Sequence, residues 1–202
     1  MALMIASSVL AGLREVAKQL RILTCSGVRR PLMLCRTGYD PTGGLYLTTG
    51  WWNSANAITA LANYSRVSGS HEYLPVFANT LSAAQSGPQG ATGFLNKYYD
   101  DEGWWALAWI DIFDLTGDTH YLQTASEIFQ DMQRGWDAST CDGSILWSKD
   151  KSNKNAIENE LFLVVAASLP NRESDEPARS MDLNWAPKEW EWFQKAALDE
   201  NL

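Results

Sequence analysis

Three acids in a row, Asp100, Asp101 and Glu102, stand between Tyr98-Tyr99 and Gly103-Trp104-Trp105. Neighbouring carboxyls resist joint ionisation. A pair of carboxyls suits glycoside hydrolysis: one protonates the departing oxygen, and the other attacks the anomeric carbon or activates water. Consecutive Cα atoms lie about 3.8 Å apart, which favours the short carboxyl separation of roughly 5–5.5 Å used by retaining enzymes. Asp100 and Asp101 would then serve as nucleophile and acid/base. A second reading competes with this one, because Asp is a preferred helix cap and an acidic first turn is ordinary helix chemistry. Capping accounts for one or two acids. It accounts less well for three set among four large aromatics.

A helix must carry these acids. Trp105, Ala108/Trp109, Ile112 and Leu115 recur at three- and four-residue spacing, so the carboxylates fall at a helix N-terminus, where free amides and the macrodipole favour negative charge. Upstream, Thr49 to about Ser68 reads as a helix stopped by Gly69. A second helix runs from His71 to about Gln85 with Ser70 as its cap. Gly69-Ser70-His71-Glu72-Tyr73-Leu74 returns 48 residues later as Gly117-Asp118-Thr119-His120-Tyr121-Leu122. Repeats of this length signal stacked helical pairs. The register sets Trp52 and Asn53 opposite Asp100 and Asp101, at the same end of successive first helices.

Downstream, Tyr121/Leu122, Ala125, Ile128/Phe129 and Met132 mark the apolar side of an amphipathic helix. Residues 136–147 read as a loop or small hairpin carrying aromatics. Lys154 to Leu169 starts a third hairpin, its helix apolar all round over 161–167 as expected for a buried element. At its start Asn155 and Asn159 share a face at i and i+4, either as a polar network or as amides for sugar hydroxyls. Trp185 to about Ala197 is one more helix. At the other end, residues 2–20 suggest an amphipathic helix, and 21–38 have no dependable period.

The chain has 202 residues, 46% of them apolar, a net charge of −8 and ten tryptophans. This suits one domain with a substantial core. The acidic balance argues against a nucleic-acid partner, and no apolar run approaches the ~20 residues of a membrane span. Tryptophan faces stack on sugar rings, but core packing is their commoner use. Cys25, Cys35 and Cys141 lack metal-like spacing, His71 and His120 lack partner motifs, and neither a metal nor a cofactor is expected.

Tyr98 to Asp118 (YYDDEGWWALAWIDIFDLTGD), with TGWWNSANAITAL (Thr49 to Leu61) and KNAIENELFLVVAASL (Lys154 to Leu169), resembles glycoside hydrolase family 76, the endo-α-1,6-mannanases. The likeness covers roughly 39–198, after an uncertain segment 1–38. It implies an all-α fold, part of an (α/α)6 toroid of helical hairpins with about seven of twelve helices. It also implies retaining hydrolysis of α-1,6-mannan, with Asp100 similar to the family nucleophile and Asp101 to its acid/base. Trp52, Asn53, Trp104, Asn155 and Asn159 fall near the groove, and with Tyr99 of the aromatic frame they form the candidate substrate-binding set. The implied partner is mannan or a mannose-containing oligosaccharide, and the implied location is secreted or at the cell wall. A mannan-binding remnant without catalysis, a cell-wall transglycosidase and a helical protein-binding scaffold are the rival expectations.

Overall fold

The computed structural model describes residues 38–86, 92–150, 153–175, 179–180 and 182–196. Its helices are α1 (Trp51–Ser68), α2 (Leu74–Ala83), α3 (Tyr99–Thr116), α4 (Thr119–Gln133), α5 (Ala156–Ser168) and α6 (Trp185–Ala196). A 3-10 turn (Leu169–Asn171) follows α5. Contacts divide the chain between Tyr39 and Asp40, and all six helices lie in the second unit. The expected helix at 2–20, together with Cys25 and Cys35, lies outside the described residues. Cys141 is an exposed free thiol.

The two repeat copies end their helices alike. Gly69 and Gly117 both sit at φ 71° as the C-caps of α1 and α3, a left-handed conformation that glycine adopts without a Cβ penalty. The copies begin their next helices differently. Asp118 caps α4, its carboxylate accepting the His120 amide at 3.0 Å. Ser70 only organises a turn, and α2 starts later, at Leu74, with Tyr73 as its cap residue. Pro75 explains the difference: it has no N–H and fits only the first helical turn, so a helix beginning at His71 would carry it too deep.

Successive first helices lie side by side. Helix α3 packs between α1 and α5, α4 lies against α3, and α5 meets α6. The 48-residue register is realised in a contact: Asn63 Nδ2 of α1 donates to Asp111 Oδ2 of α3 at 3.2 Å. Asn63 therefore sits in a packed helix face, although it begins an Asn-Tyr-Ser sequon. Between the helices runs an aromatic column in which Trp105 stacks on Trp109 at 5.7 Å and Trp109 on Tyr121 at 5.6 Å. Trp51 and Phe94 close on Trp105 at 5.5 and 4.7 Å. These three tryptophans are buried core. Gly103 fits the α3–α5 contact because a Cβ there would lie 2.7 Å from Leu161 Cβ. No helix among the described residues is long and apolar enough to cross a membrane.

Candidate active site

The acidic run forms the first turn of α3, with Tyr98 as the preceding cap residue in extended conformation. Its three acids divide their work. Glu102 is fully buried, and its Oε1 accepts Lys149 Nζ at 2.7 Å and the Asn96 amide at 2.9 Å. Lys149 also reaches Asp131 of α4 at 2.5 Å. Burial pushes the Glu102 carboxyl up to about 8 against the pull of the Lys149 bond and charge, while the two carboxylates raise the Lys149 ammonium above its ordinary value despite burial. Glu102 thus ties the turn to the loops on either side and leaves the two aspartates for chemistry.

Asp101 and Asp100 are both half-buried. Asp101 Oδ2 accepts Asn96 Nδ2 at 2.6 Å. Asn96 is itself fixed, since its Oδ1 accepts the Tyr98 amide at 2.7 Å. Burial pushes the Asp101 carboxyl up to about 6; the Asn96 bond opposes that rise and the neighbouring Asp100 charge adds to it. Asp100 Oδ1 is enclosed and has no hydrogen-bond partner among the described residues. The environment therefore gives two adjacent carboxyls unlike surroundings, as acid–base chemistry requires.

Trp52 of α1 lies stacked on Trp104 of α3, with ring centroids 6.3 Å apart. Trp52 is 40% exposed and Trp104 half-buried, so this pair offers an accessible aromatic face one helical turn along from the aspartates. Asn53 is half-buried beside Trp52 on the first turn of α1, and Asn155 is exposed at the start of α5. The repeat register had set the tryptophan and the acids at the same helix end, and the Trp52–Trp104 stack joins those ends.

Tyr99 and Asn159 are not brought to this rim. The Tyr99 ring is buried against Gly135 and under Lys149, whose Nζ lies 5.3 Å from its centroid. Burial pushes its hydroxyl up to about 12. Asn159 is fully enclosed and spends its amide on the chain: Oδ1 accepts the Ile145 amide at 3.0 Å, and Nδ2 donates to the Asn155 carbonyl at 2.7 Å. Of the two readings of the Asn155/Asn159 pair, a polar network or amides for sugar hydroxyls, Asn159 follows the first, because the 136–147 segment folds over it. Both residues support the site from behind.

That segment is tied to the start of α3. It is bridged Trp136 to Ile145 and joined to the α3 start by the Tyr98–Ser148 bridge. Lys154 Nζ donates to the carbonyls of Asp137, Thr140 and Gly143 within 2.6 Å. Trp192 Nε1 holds the Cys141 carbonyl at 2.7 Å. These bonds hold Cys141, Asp142 and Ser144 at positive φ, a cost accepted only when surroundings fix it. Asn96, Lys149 and Lys154 escaped the sequence reading because each sits in a polar stretch without periodicity, and their partners come from distant loops or helices. Among the described residues no group of three or more His, Cys, Asp or Glu could hold a metal ion.

Residues 35–202 match Glycosyl hydrolase family 76. Among curated proteins, a putative mannan endo-1,6-alpha-mannosidase of Schizosaccharomyces pombe is 24% identical over 158 residues, covering 72% of this chain and 35% of its own length. A mannan endo-1,6-alpha-mannosidase of Candida albicans is 23% identical over 163 residues, with 73% and 35% covered. Among solved structures, an inactive double-aspartate variant of an alpha-1,6-mannanase of Salegentibacter sp. HEL1_6, in complex with alpha-1,6-mannotetrose, has a TM-score of 0.71. It is 22% identical and covers 83% of this chain and 50% of its own. A family 76 mannosidase of Bacteroides thetaiotaomicron VPI-5482 has a TM-score of 0.60 at 19% identity, with 81% and 47% covered. The fold is a partial α/α toroid, and the chain spans about a third of the length of the curated relatives and half that of the solved mannanase.

Proposed function

Because the chain belongs to glycosyl hydrolase family 76, we propose that it acts on α-1,6-linked mannan as an endo-mannanase with a retaining two-carboxylate mechanism. The observation that carries the reading is the unlike treatment of the half-buried Asp100 and Asp101 on one helix turn. Asp101 is raised to about 6 by burial and aimed by Asn96, so it keeps a proton to give in mildly acidic solution. Asp100 carries an enclosed oxygen that has no partner among the described residues.

In the first step Asp100 attacks the anomeric carbon as the glycosidic bond breaks, and Asp101 passes its proton to the departing oxygen. In the second, Asp101 takes a proton from water, which displaces the sugar from Asp100. A sugar hydroxyl in place of that water would give transglycosylation. Trp52 and Trp104 would stack on mannose rings, with Asn53 and Asn155 within reach of hydroxyls. Tyr99 and Asn159 would hold the turn and the rim in place. It supports this reading that the related mannanase was inactivated by replacing two consecutive aspartates. The corresponding place of action is outside the cell or at its wall.

The test is turnover of α-1,6-mannan by the full chain and by Asp100→Asn and Asp101→Asn. Each variant is expected to lose at least about 100-fold in kcat/KM, the usual scale for removing an acid–base group. Parent-like rates in both would overturn the assignment, and binding of mannan without any product from the parent would favour a non-catalytic binding role.

A further inference from the structure

The carbonyls of the 137–143 loop converge on one point, and a side chain from outside the loop fills it. Lys154 Nζ donates to the carbonyl oxygens of Asp137, Thr140 and Gly143 at 2.5, 2.6 and 2.5 Å, and lies 3.3 Å from Asp137 Oδ2. The Lys154 side chain is only 5% exposed. All four of these partners are oxygens of a single loop.

The loop is bent to turn those oxygens inward. Cys141, Asp142, Gly143 and Ser144 all have positive φ, a conformation that L side chains rarely adopt and that persists only where the surroundings fix it. Asp137 anchors the start of the bend, its carboxylate accepting the Ser139 and Thr140 amides at 3.1 and 3.2 Å. Trp192 Nε1 holds the Cys141 carbonyl from a different side. Beyond Gly143 there is no spare room, since a Cβ there would lie 3.0 Å from the Trp136 ring and 3.1 Å from that of Trp192. Carbonyls turned inward and left without a donor would destabilise the bend.

The donor set selects its occupant. Three carbonyls match the three N–H groups of a primary ammonium, and one carboxylate balances one positive charge. A divalent ion such as calcium seeks about six to eight oxygens, more than this loop supplies. We propose that the 137–143 loop is a binding site for a primary ammonium ion, which the chain occupies with its own Lys154, so that the loop closes only around a cation. The site goes beyond the reaction proposed above and does not depend on it, although it borders the same machinery. From the cage the chain runs through Ile145, whose amide is held by Asn159, to Trp147, whose carbonyl accepts the Tyr99 amide at the start of α3.

The experiment is thermal unfolding of the full chain and of Lys154→Ala, which removes the atoms of a propylammonium ion and keeps the cage. The variant is expected to unfold at least about 4 °C below the parent. Propylammonium chloride at about ten times its Kd should raise the variant's Tm by about 3–6 °C and leave the parent, whose cage is filled, unmoved. Tetramethylammonium chloride, which has no N–H to donate, should raise neither. A variant as stable as the parent, equal responses of variant and parent to propylammonium, or equal effects of the two salts on the variant would overturn the site. If Lys154→Ala does not fold, acetylation of the parent decides, read peptide by peptide by mass spectrometry. Lys154 is expected to react at least about tenfold more slowly than the exposed Lys97 and Lys195, because the cage must open first; comparable rates would overturn the proposal.

Discussion

Replacing Lys149 with Met would remove the cation that bridges two buried carboxylates, leaving Asp131 with Arg134 at 3.2 Å. Glu102 is fully enclosed and Asp131 nearly so, and the Lys149 ammonium meets them at 2.7 and 2.5 Å. Met keeps most of the stem's packing volume, so the loss is electrostatic. Removing one partner of a buried ion pair typically costs about 3–5 kcal/mol, because the surviving charge stays buried. Lys149 is partly exposed, which argues for the lower half of that range. For a domain of this size each kcal/mol lowers Tm by about 2–4 °C, so a fall of roughly 6–15 °C is expected above pH 8, where Glu102 is ionised.

The pH dependence gives a sharper test. The folded-state value of Glu102 already lies above its unfolded one, and losing Lys149 raises it further because that bond and charge pull it down. A carboxyl raised on folding favours the folded state fully below its unfolded value and loses that advantage as pH rises toward the folded one. The deficit of Lys149→Met should therefore stay level from pH 5 to about 7 and grow as pH rises through 8 toward 9, where the parent's Glu102 ionises and the variant's stays protonated. Thermal unfolding followed by circular dichroism across that range is the assay. A pH-independent Tm change, or one below about 2 °C at pH 8, would refute the view that Glu102 anchors the turn through this ion pair.

Two further substitutions probe the turn and its setting. Asn96→Ala removes the bond that lowers the Asp101 carboxyl; the alkaline limb of kcat/KM should move upward while kcat falls, and a pH–rate profile with an unmoved limb would contradict that role for Asn96. Gly103→Ala sets a Cβ 2.7 Å from Leu161 Cβ, so overpacking should destabilise by about 1–3 kcal/mol, read from urea midpoints; an unchanged midpoint would count against close α3–α5 packing.

Much of this architecture could be read from periodicity and punctuation. The glycines at 69 and 117 mark helix ends because their local geometry is chemically dictated, and the 48-residue offset then aligns α1 with α3. Asp100 and Asp101 stood out because adjacent acids among aromatics are unusual for a cap alone. What escaped notice was set by packing across distance. Glu102 has the same chemistry as its neighbours in sequence, yet the helix turns it inward to Lys149. Tyr99 and Asn159 carry groups suited to sugars, but the 136–147 segment and Gly135 cover them.

The most direct measurement is the anomeric configuration of the first sugar released from α-1,6-mannan, followed by ¹H NMR before mutarotation. Adjacent aspartates working as nucleophile and acid/base should release the α-anomer first. A β-anomer appearing first would contradict attack by Asp100.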